Sequence, residues 1–274
     1  MNTPLLADFA TISKEKNMKK ALYLLASCLC MTTFVHAETI IAPSPQAVIS
    51  GPSKTVALYG NSYTHYNNNL NTRLRDLARS LLPDGGKGYA WRGITISSGH
   101  LGWHIPNLAF QNNLQPWDTV IFQGNSTETI SAKAATRASF TESAIKMAAM
   151  AHKANEKVVW FMTWARKDKP EQTEKLKRAY LDIARQTGGY VAPVGLAFAA
   201  SLQQHPEINL YHSDGNHPSL AGSYLAACVL FATLYNQSPV GGALPVDSDM
   251  KEPTARALQQ TAWEVVTAFR QQNL

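Results

Sequence analysis

Thr55-Val56-Ala57-Leu58-Tyr59-Gly60-Asn61-Ser62-Tyr63-Thr64 is the stretch on which the fold turns. Five uncharged residues, Thr55 to Tyr59, read as a short buried strand that breaks at Gly60-Asn61-Ser62. Residues 67 to 82 then carry Leu70, Leu74, Leu77, Leu81 and Leu82 at helical spacing, with Arg73, Arg75 and Arg79 interleaved. A buried strand, a tight break and an amphipathic helix make the first half of a strand–helix–strand unit.

The alternation continues outward from there. Ile94-Thr95-Ile96 is a second strand, followed by the Gly-rich turn Ser97 to Gly102. Thr119 to Phe122 is a third, and an Ala-rich helix follows over about 132 to 155. Lys157 to Met162 is a fourth strand, with a helix after Pro170, and Tyr190 to Val194 is a fifth. Helices are expected over about 195–204, 219–236 and 253–272. Such alternation implies a parallel sheet with helices on both faces, hence a three-layer α/β/α domain. Sites in sheets of this kind lie beyond the carboxyl ends of the strands. No Gly-, Ser- or Pro-rich linker divides residues 38–274, which are expected to form a single domain.

The N-terminus reads as an export signal. Met18-Lys19-Lys20 precedes an uncharged run from Ala21 to Phe34, and Val35-His36-Ala37 fits a signal-peptidase site. The run is shorter than the roughly 20 residues that span a bilayer, so no stable membrane span is expected. Asp8 and Glu15 suit the head of a signal poorly, which makes Met18 the expected start. The alternative is a lipoprotein, since Leu25-Ala26-Ser27-Cys28 resembles a lipobox. Against it, the apolar stretch ahead of Cys28 is very short.

Removing residues 1–37, which hold four lysines against two carboxylates, lowers the formal net charge from +6 to +4. The excess is spread along the chain apart from Arg166, Lys167 and Lys169, so nucleic acid is not an expected partner. Cys28 and Cys30 leave with the signal. Cys228 alone remains, which forbids an internal disulfide and reads as a small core residue.

Chemistry is concentrated at the strand ends. Ser62 lies at a strand-to-helix turn, where the helix dipole and free backbone N–H groups favour developing negative charge. Taken alone, a serine at such a turn is more often a helix cap than a nucleophile. Gly99 ends the second strand and could bring a backbone N–H to the same point, and Gln123-Gly124-Asn125 at the end of the third supplies amide donors. Asp214 and His217 stand three apart in a turn closed by Pro218, a spacing that lets the carboxylate hold one imidazole nitrogen while the other accepts a proton from serine. Two other readings of that segment are a Ser219 helix cap and a metal set of His212, Asp214 and His217, although no second ligand cluster supports the metal. Trp103 and His104 after the Gly99 turn, and Trp164 after the fourth strand, are candidate pocket residues.

Gly60-Asn61-Ser62 with Thr64, Gly99, Asn125 and Asp214-x-x-His217 resembles the SGNH (GDSL-like) hydrolases in order and spacing over about 55–236. The closest likeness is to a branch marked by Gly60-Asn61-Ser62-Tyr63-Thr64, Phe122-Gln123, Thr163-Trp164-Ala165 and the long segment from Asp214 to Ala227. The resemblance implies a flavodoxin-like parallel sheet, with Ser62 as nucleophile, His217 as general base and then acid, and Asp214 orienting it. It implies an oxyanion hole of Ser62, Gly99 and Asn125, with no metal or organic cofactor. Two departures stand out. Asn61 replaces the Asp of the GDS form, and Asn125 follows Gly124 directly where the family reads G-x-N-D, so the third donor is Asn125 or Gln123.

The expected function is an exported serine esterase acting on small acyl esters, acetyl on carbohydrate above all. The alternatives are a lipase, thioesterase or acyltransferase with the same triad, or a non-catalytic glycan-binding module.

Overall fold

The computed structural model describes residues 44–246 and 248–272, so the segment expected to be an export signal, with Cys28, lies outside the described residues. Its sheet is built from β1 (Thr55–Gly60), β2 (Ala90–Thr95), β3 (Thr119–Phe122), β4 (Lys157–Phe161) and β5 (Tyr190–Ala192). The order is β2-β1-β3-β4-β5, and every pairing is parallel. The chain leaves β1 to one side to make β2 and returns to the other side to make β3. Strand order therefore reverses at β1, and a crevice opens at the carboxyl ends of β1 and β3.

The described helices are α1 (Ser62–His65), α2 (Leu70–Leu81), α3 (Ile105–Leu114), α4 (Ala134–Lys153), α5 (Gln172–Thr187), α6 (Val194–Gln204), α7 (Leu220–Tyr235) and α8 (Glu252–Gln271). They cover both faces of the sheet, and the strands divide their side chains between two cores. Val56, Leu58, Ile121, Val159 and Phe161 pack under α2, α6, α7 and α8. Ala57, Tyr59, Val120, Phe122 and Trp160 point the other way, toward α3, α4 and α5. Burial on both faces is why the central strands read as unbroken apolar runs instead of alternating ones.

Helix α2 carries the predicted stripe, with Leu70, Leu74 and Leu77 buried. Helix α7 is buried all round from Gly222 to Leu234, so it has no polar face to show. Cys228 lies fully buried within it, and burial pushes its thiol far up. Among the described residues, no helix is long and apolar enough to cross a membrane.

Two elements differ from expectation. Strand β2 begins at Ala90, ahead of Ile94, because it is an edge strand with Ala90 and Arg92 exposed. Helix α3 was not foreseen. Only Leu108 of its ten residues is buried, so there is no apolar stripe for a periodicity to reveal.

Candidate active site

Strand β1 runs straight into α1. The Asn61 side chain accepts the Tyr63 N–H at 3.1 Å and caps the helix, which makes Ser62 its first residue. The Ser62 N–H is thus one of the donors a helix cannot satisfy internally. Gly60 has to be glycine, since a Cβ there would fall on Thr64 Oγ1 and Gln123 Oε1.

Helix α1 ends in a left-handed turn. Asn67, Asn68 and Asn69 have φ of 54°, 68° and 63°, a region that asparagine enters more readily than other side-chain-bearing residues. Arg73 holds the turn by donating to the Asn67 carbonyl from Nε at 3.1 Å and Nη2 at 2.9 Å. The Asn67 amide in turn donates to the Pro218 carbonyl (3.1 Å) and Ser223 Oγ (2.8 Å). The chain leaving Ser62 is thereby fastened to the loop that carries His217.

That loop is itself closed. Tyr211 bridges Pro218, the His212 N–H donates to the His217 carbonyl at 2.8 Å, and Gly215 turns the chain at φ 65°. Asp214 Oδ1 accepts the Asn216 and His217 N–H groups, each at 2.9 Å. Its Oδ2 lies 2.5 Å from His217 Nδ1, and His217 Nε2 lies 3.0 Å from Ser62 Oγ. Ser219 does cap α7, accepting the Gly222 N–H at 3.2 Å, so the cap and the Asp–His pair occupy one loop without competing.

Desolvation pulls the Asp214 carboxyl upward, but the hydrogen bonds from the His217 ring and the two N–H groups outweigh it and hold it well below the usual carboxylate range. An ionised Asp214 keeps the proton on Nδ1 and turns the Nε2 lone pair toward Ser62. Among the described residues, no three His, Cys, Asp or Glu side chains form a metal-binding group.

The amides after β3 separate clearly. Gln123 is buried, and both ends of its side chain are occupied. Its Oε1 accepts the Asn61 N–H and the Thr64 hydroxyl, each at 2.9 Å, while its Nε2 donates to Asn61 Oδ1 at 2.9 Å and to the Gly124 carbonyl. It is a strut and has no N–H to offer an oxyanion. Asn125 is only half-buried, and its amide is held by two long contacts, donating to the Ser98 carbonyl at 3.4 Å and accepting the Ser126 hydroxyl at 3.5 Å.

Gly99 corrects the expected hole. Its N–H is already donated to the Ile96 carbonyl at 2.9 Å within a turn. It contributes its carbonyl instead, which accepts Asn61 Nδ2 at 3.0 Å. Asn61 also donates to the Gly124 carbonyl at 3.3 Å, so this one amide ties together the chain ends of β1, β2 and β3.

Two expected pocket residues are not at a surface. His104 is 1% exposed and its Nε2 donates to the Gly60 carbonyl at 2.9 Å, with burial pulling its pKa down against that bond. Trp164 is also 1% exposed. It is the middle ring of a stack, 4.2 Å from both Tyr63 and Phe198, and its Nε1 donates to the Asn216 carbonyl at 3.0 Å. It supports the Asp214–His217 loop from beneath. Trp103 is 55% exposed and borders a cleft of about 330 Å³ with His100, Glu128 and Thr136.

Several site residues were not anticipated. Tyr63 donates to Asn216 Oδ1 at 2.6 Å, Tyr66 lies on the His217 ring, and Asn67 and Glu128 brace the loops. Tyr63 lies in the helix that begins at Ser62 and Tyr66 caps its end, so the run Ser62 to Asn67 was the available signal.

A parallel sheet of this order, with its polar residues gathered beyond β1 and β3, has the fold of the SGNH hydrolases. Solved structures share it. A protein from Slackia heliotrinireducens assigned to the SGNH hydrolases is 24% identical with a TM-score of 0.54, the match covering 66% of this chain and 99% of that one. A DUF4886 family protein from Bacteroides uniformis is 16% identical with a TM-score of 0.59, covering 78% and 94%. An acetylxylan esterase from Geobacillus stearothermophilus is 12% identical with a TM-score of 0.54, covering 68% and 95%. At these identities the likeness establishes the fold. No protein-family model matches the sequence, and neither does any curated protein.

Proposed function

We propose that this protein is an exported serine esterase that removes small acyl groups, acetyl above all, from carbohydrate. The observation that carries the reading is the relay from Ser62 Oγ to His217 Nε2 (3.0 Å) and from His217 Nδ1 to Asp214 Oδ2 (2.5 Å). A serine hydroxyl against a basic imidazole nitrogen, at a helix N-terminus, is the arrangement that nucleophilic acyl transfer requires.

In the first step Ser62 Oγ bonds to the ester carbonyl carbon while its proton passes to His217 Nε2. The oxyanion is met by the Ser62 N–H and the Asn125 amide. The carbonyl carbon–alkoxy bond then breaks, and His217 returns the proton to the leaving alcohol. Water, deprotonated by His217, bonds to the acyl carbon; the bond from that carbon to Ser62 Oγ then breaks, His217 returns the proton to Oγ, and the acid leaves. The steps need no metal or organic cofactor.

The carbohydrate reading draws support from the exposed Trp103 ring beside its cleft. It is also in keeping with the activity of the Geobacillus neighbour, an acetylxylan esterase. Export, with cleavage after Ala37, draws on the basic start, apolar run and small-residue site at the N-terminus.

The test is hydrolysis of p-nitrophenyl acetate, butyrate and octanoate by residues 38–274, beside Ser62→Ala. Preference for acetate with an inert variant supports the proposal. Equal inactivity of both proteins on every ester would move the glycan-binding reading ahead.

A further inference from the structure

Glu128 is a carboxylate that the acyl-transfer steps do not use, yet it is 3% exposed and sits between the two loops that flank the oxyanion position. Its Oε2 accepts the Asn125 N–H at 2.6 Å. Its Oε1 accepts the Leu101 N–H at 3.3 Å and lies 3.4 Å from Nδ1 of the half-exposed His100. The Glu128 N–H returns to the Asn125 carbonyl at 3.1 Å, which closes the loop after β3 upon itself.

A buried carboxylate is unfavourable unless it is hydrogen-bonded and paired, and an apolar residue fills space with less penalty. Here burial drives the Glu128 carboxyl upward, opposed by the Asn125 N–H and by His100. The Asn125 amide has only two long side-chain contacts, to the Ser98 carbonyl at 3.4 Å and from the adjacent Ser126 hydroxyl at 3.5 Å, both beyond the usual hydrogen-bond range, so neither aims it. The short bond from its backbone N–H to Glu128 can.

We propose that Glu128 is a positioning residue of the esterase, whose carboxylate, paired with His100, clamps the Asn125 loop to the Leu101 loop and so aims the Asn125 amide at the oxyanion. The proposal rests on the Ser62 esterase reading. Glu128 touches no reacting atom and acts through Asn125.

The experiment measures kcat and KM on p-nitrophenyl acetate for wild type, Glu128→Gln, Asn125→Ala and the double variant, with thermal melts. Glu128→Gln keeps the shape but sets an amide N–H against one of the donors. Its kcat is expected to fall about 10- to 100-fold with KM within about 3-fold, because only transition-state stabilisation is lost. In the Asn125→Ala background the same change is expected to lower kcat less than about 3-fold, since the group it aims is gone. A kcat near wild type, or a full loss that persists without the Asn125 amide, overturns the clamp. If Glu128→Gln does not fold, His100→Gln on the surface serves in the same cycle. It is expected to lower kcat about 3- to 10-fold only while Asn125 is present, and an unchanged or background-independent kcat again overturns it. Wild-type hydrolysis that is absent or survives Ser62→Ala overturns the esterase reading itself, and the clamp with it.

Discussion

The phenol ring of Tyr66 lies flat on the imidazole of His217, with centroids 4.5 Å apart and planes within 10°. In the proposed acyl transfer His217 takes the proton of Ser62 and becomes a cation against an aromatic face, an attraction worth about 1 kcal/mol at a partly exposed site. The gain exists mainly in the charged state, so it favours the transition state over the resting enzyme. Tyr66→Ala is expected to lower kcat about 5-fold with little change in KM, and Tyr66→Phe to keep most of the activity. Steady-state kinetics on p-nitrophenyl acetate check both. Equal losses in the two variants would assign the effect to the hydroxyl instead of the ring.

Asp214 is held far below the usual carboxylate range by donors that favour its charge. Its contribution is therefore present above ordinary carboxylate pH and lost only as the solution becomes strongly acidic. Asp214→Asn keeps an acceptor for the Asn216 and His217 N–H groups but sets an amide N–H against His217 Nδ1, favouring the wrong tautomer. The expected outcome is a folded protein with kcat down about 10²- to 10⁴-fold. The ratio of variant to wild-type kcat should be nearly the same at pH 5 and pH 8, because wild-type Asp214 stays ionised at both. A ratio that closes toward one at pH 5 would show the carboxylate titrating there.

The fold was legible because its central strands are short, apolar and bounded by turns, and because α2 carries its leucines on one side. Strand β1, the Asn61–Ser62 break and the Asp214–His217 turn could be read where they lie, since each is a local arrangement of consecutive residues. What escaped depends on directions that spacing does not encode. His104 follows the Gly99 turn in sequence, but the 3₁₀ turn Leu101–His104 rotates its ring inward onto the Gly60 carbonyl. Trp164 follows β4 close to the site, yet its indole is spent between Tyr63 and Phe198. Gln123 and Asn125 could not be told apart from order alone, because the choice depends on which amide is already bonded. A glycine's position does not tell which of its backbone groups is free: at Gly99 the turn back to Ile96 uses the N–H and leaves the carbonyl.

Asn61 shows why the departure from the GDS pattern is more than neutral in this chain. Its Oδ1 accepts two N–H groups, from Tyr63 and Gln123, and its Nδ2 faces the carbonyls of Gly99 and Gly124. An aspartate would place a carboxylate oxygen against those two carbonyls in a buried site. Asn61→Asp is expected to destabilise by about 2–3 kcal/mol, more at pH 8, where the acid is ionised, than at pH 5, where a proton can bridge the gap. Urea melts at the two pH values measure it. Stability equal to wild type at both would mean that the strand-end loops do not depend on this amide.

Glu156 supplies a pH dependence of the opposite kind, far from Ser62, Asp214 and His217. It is buried just before β4, and desolvation raises its pKa from 4.5 to about 7 despite the Trp117 N–H at 2.8 Å and the neighbouring Asn112. Between those two values the folded chain holds a proton that the unfolded chain has released. Raising the pH through this window therefore removes stability, and above pH 7 the charged carboxylate stays buried at a penalty of about 3 kcal/mol. Glu156→Gln keeps an acceptor for Trp117 and removes the charge. It should match wild type near pH 4.5 and exceed it at pH 8 by several degrees in Tm. Thermal melts across pH 4.5 to 8.5 test this. A Tm difference that stays flat over the range would show that Glu156 is solvated well enough to ionise normally.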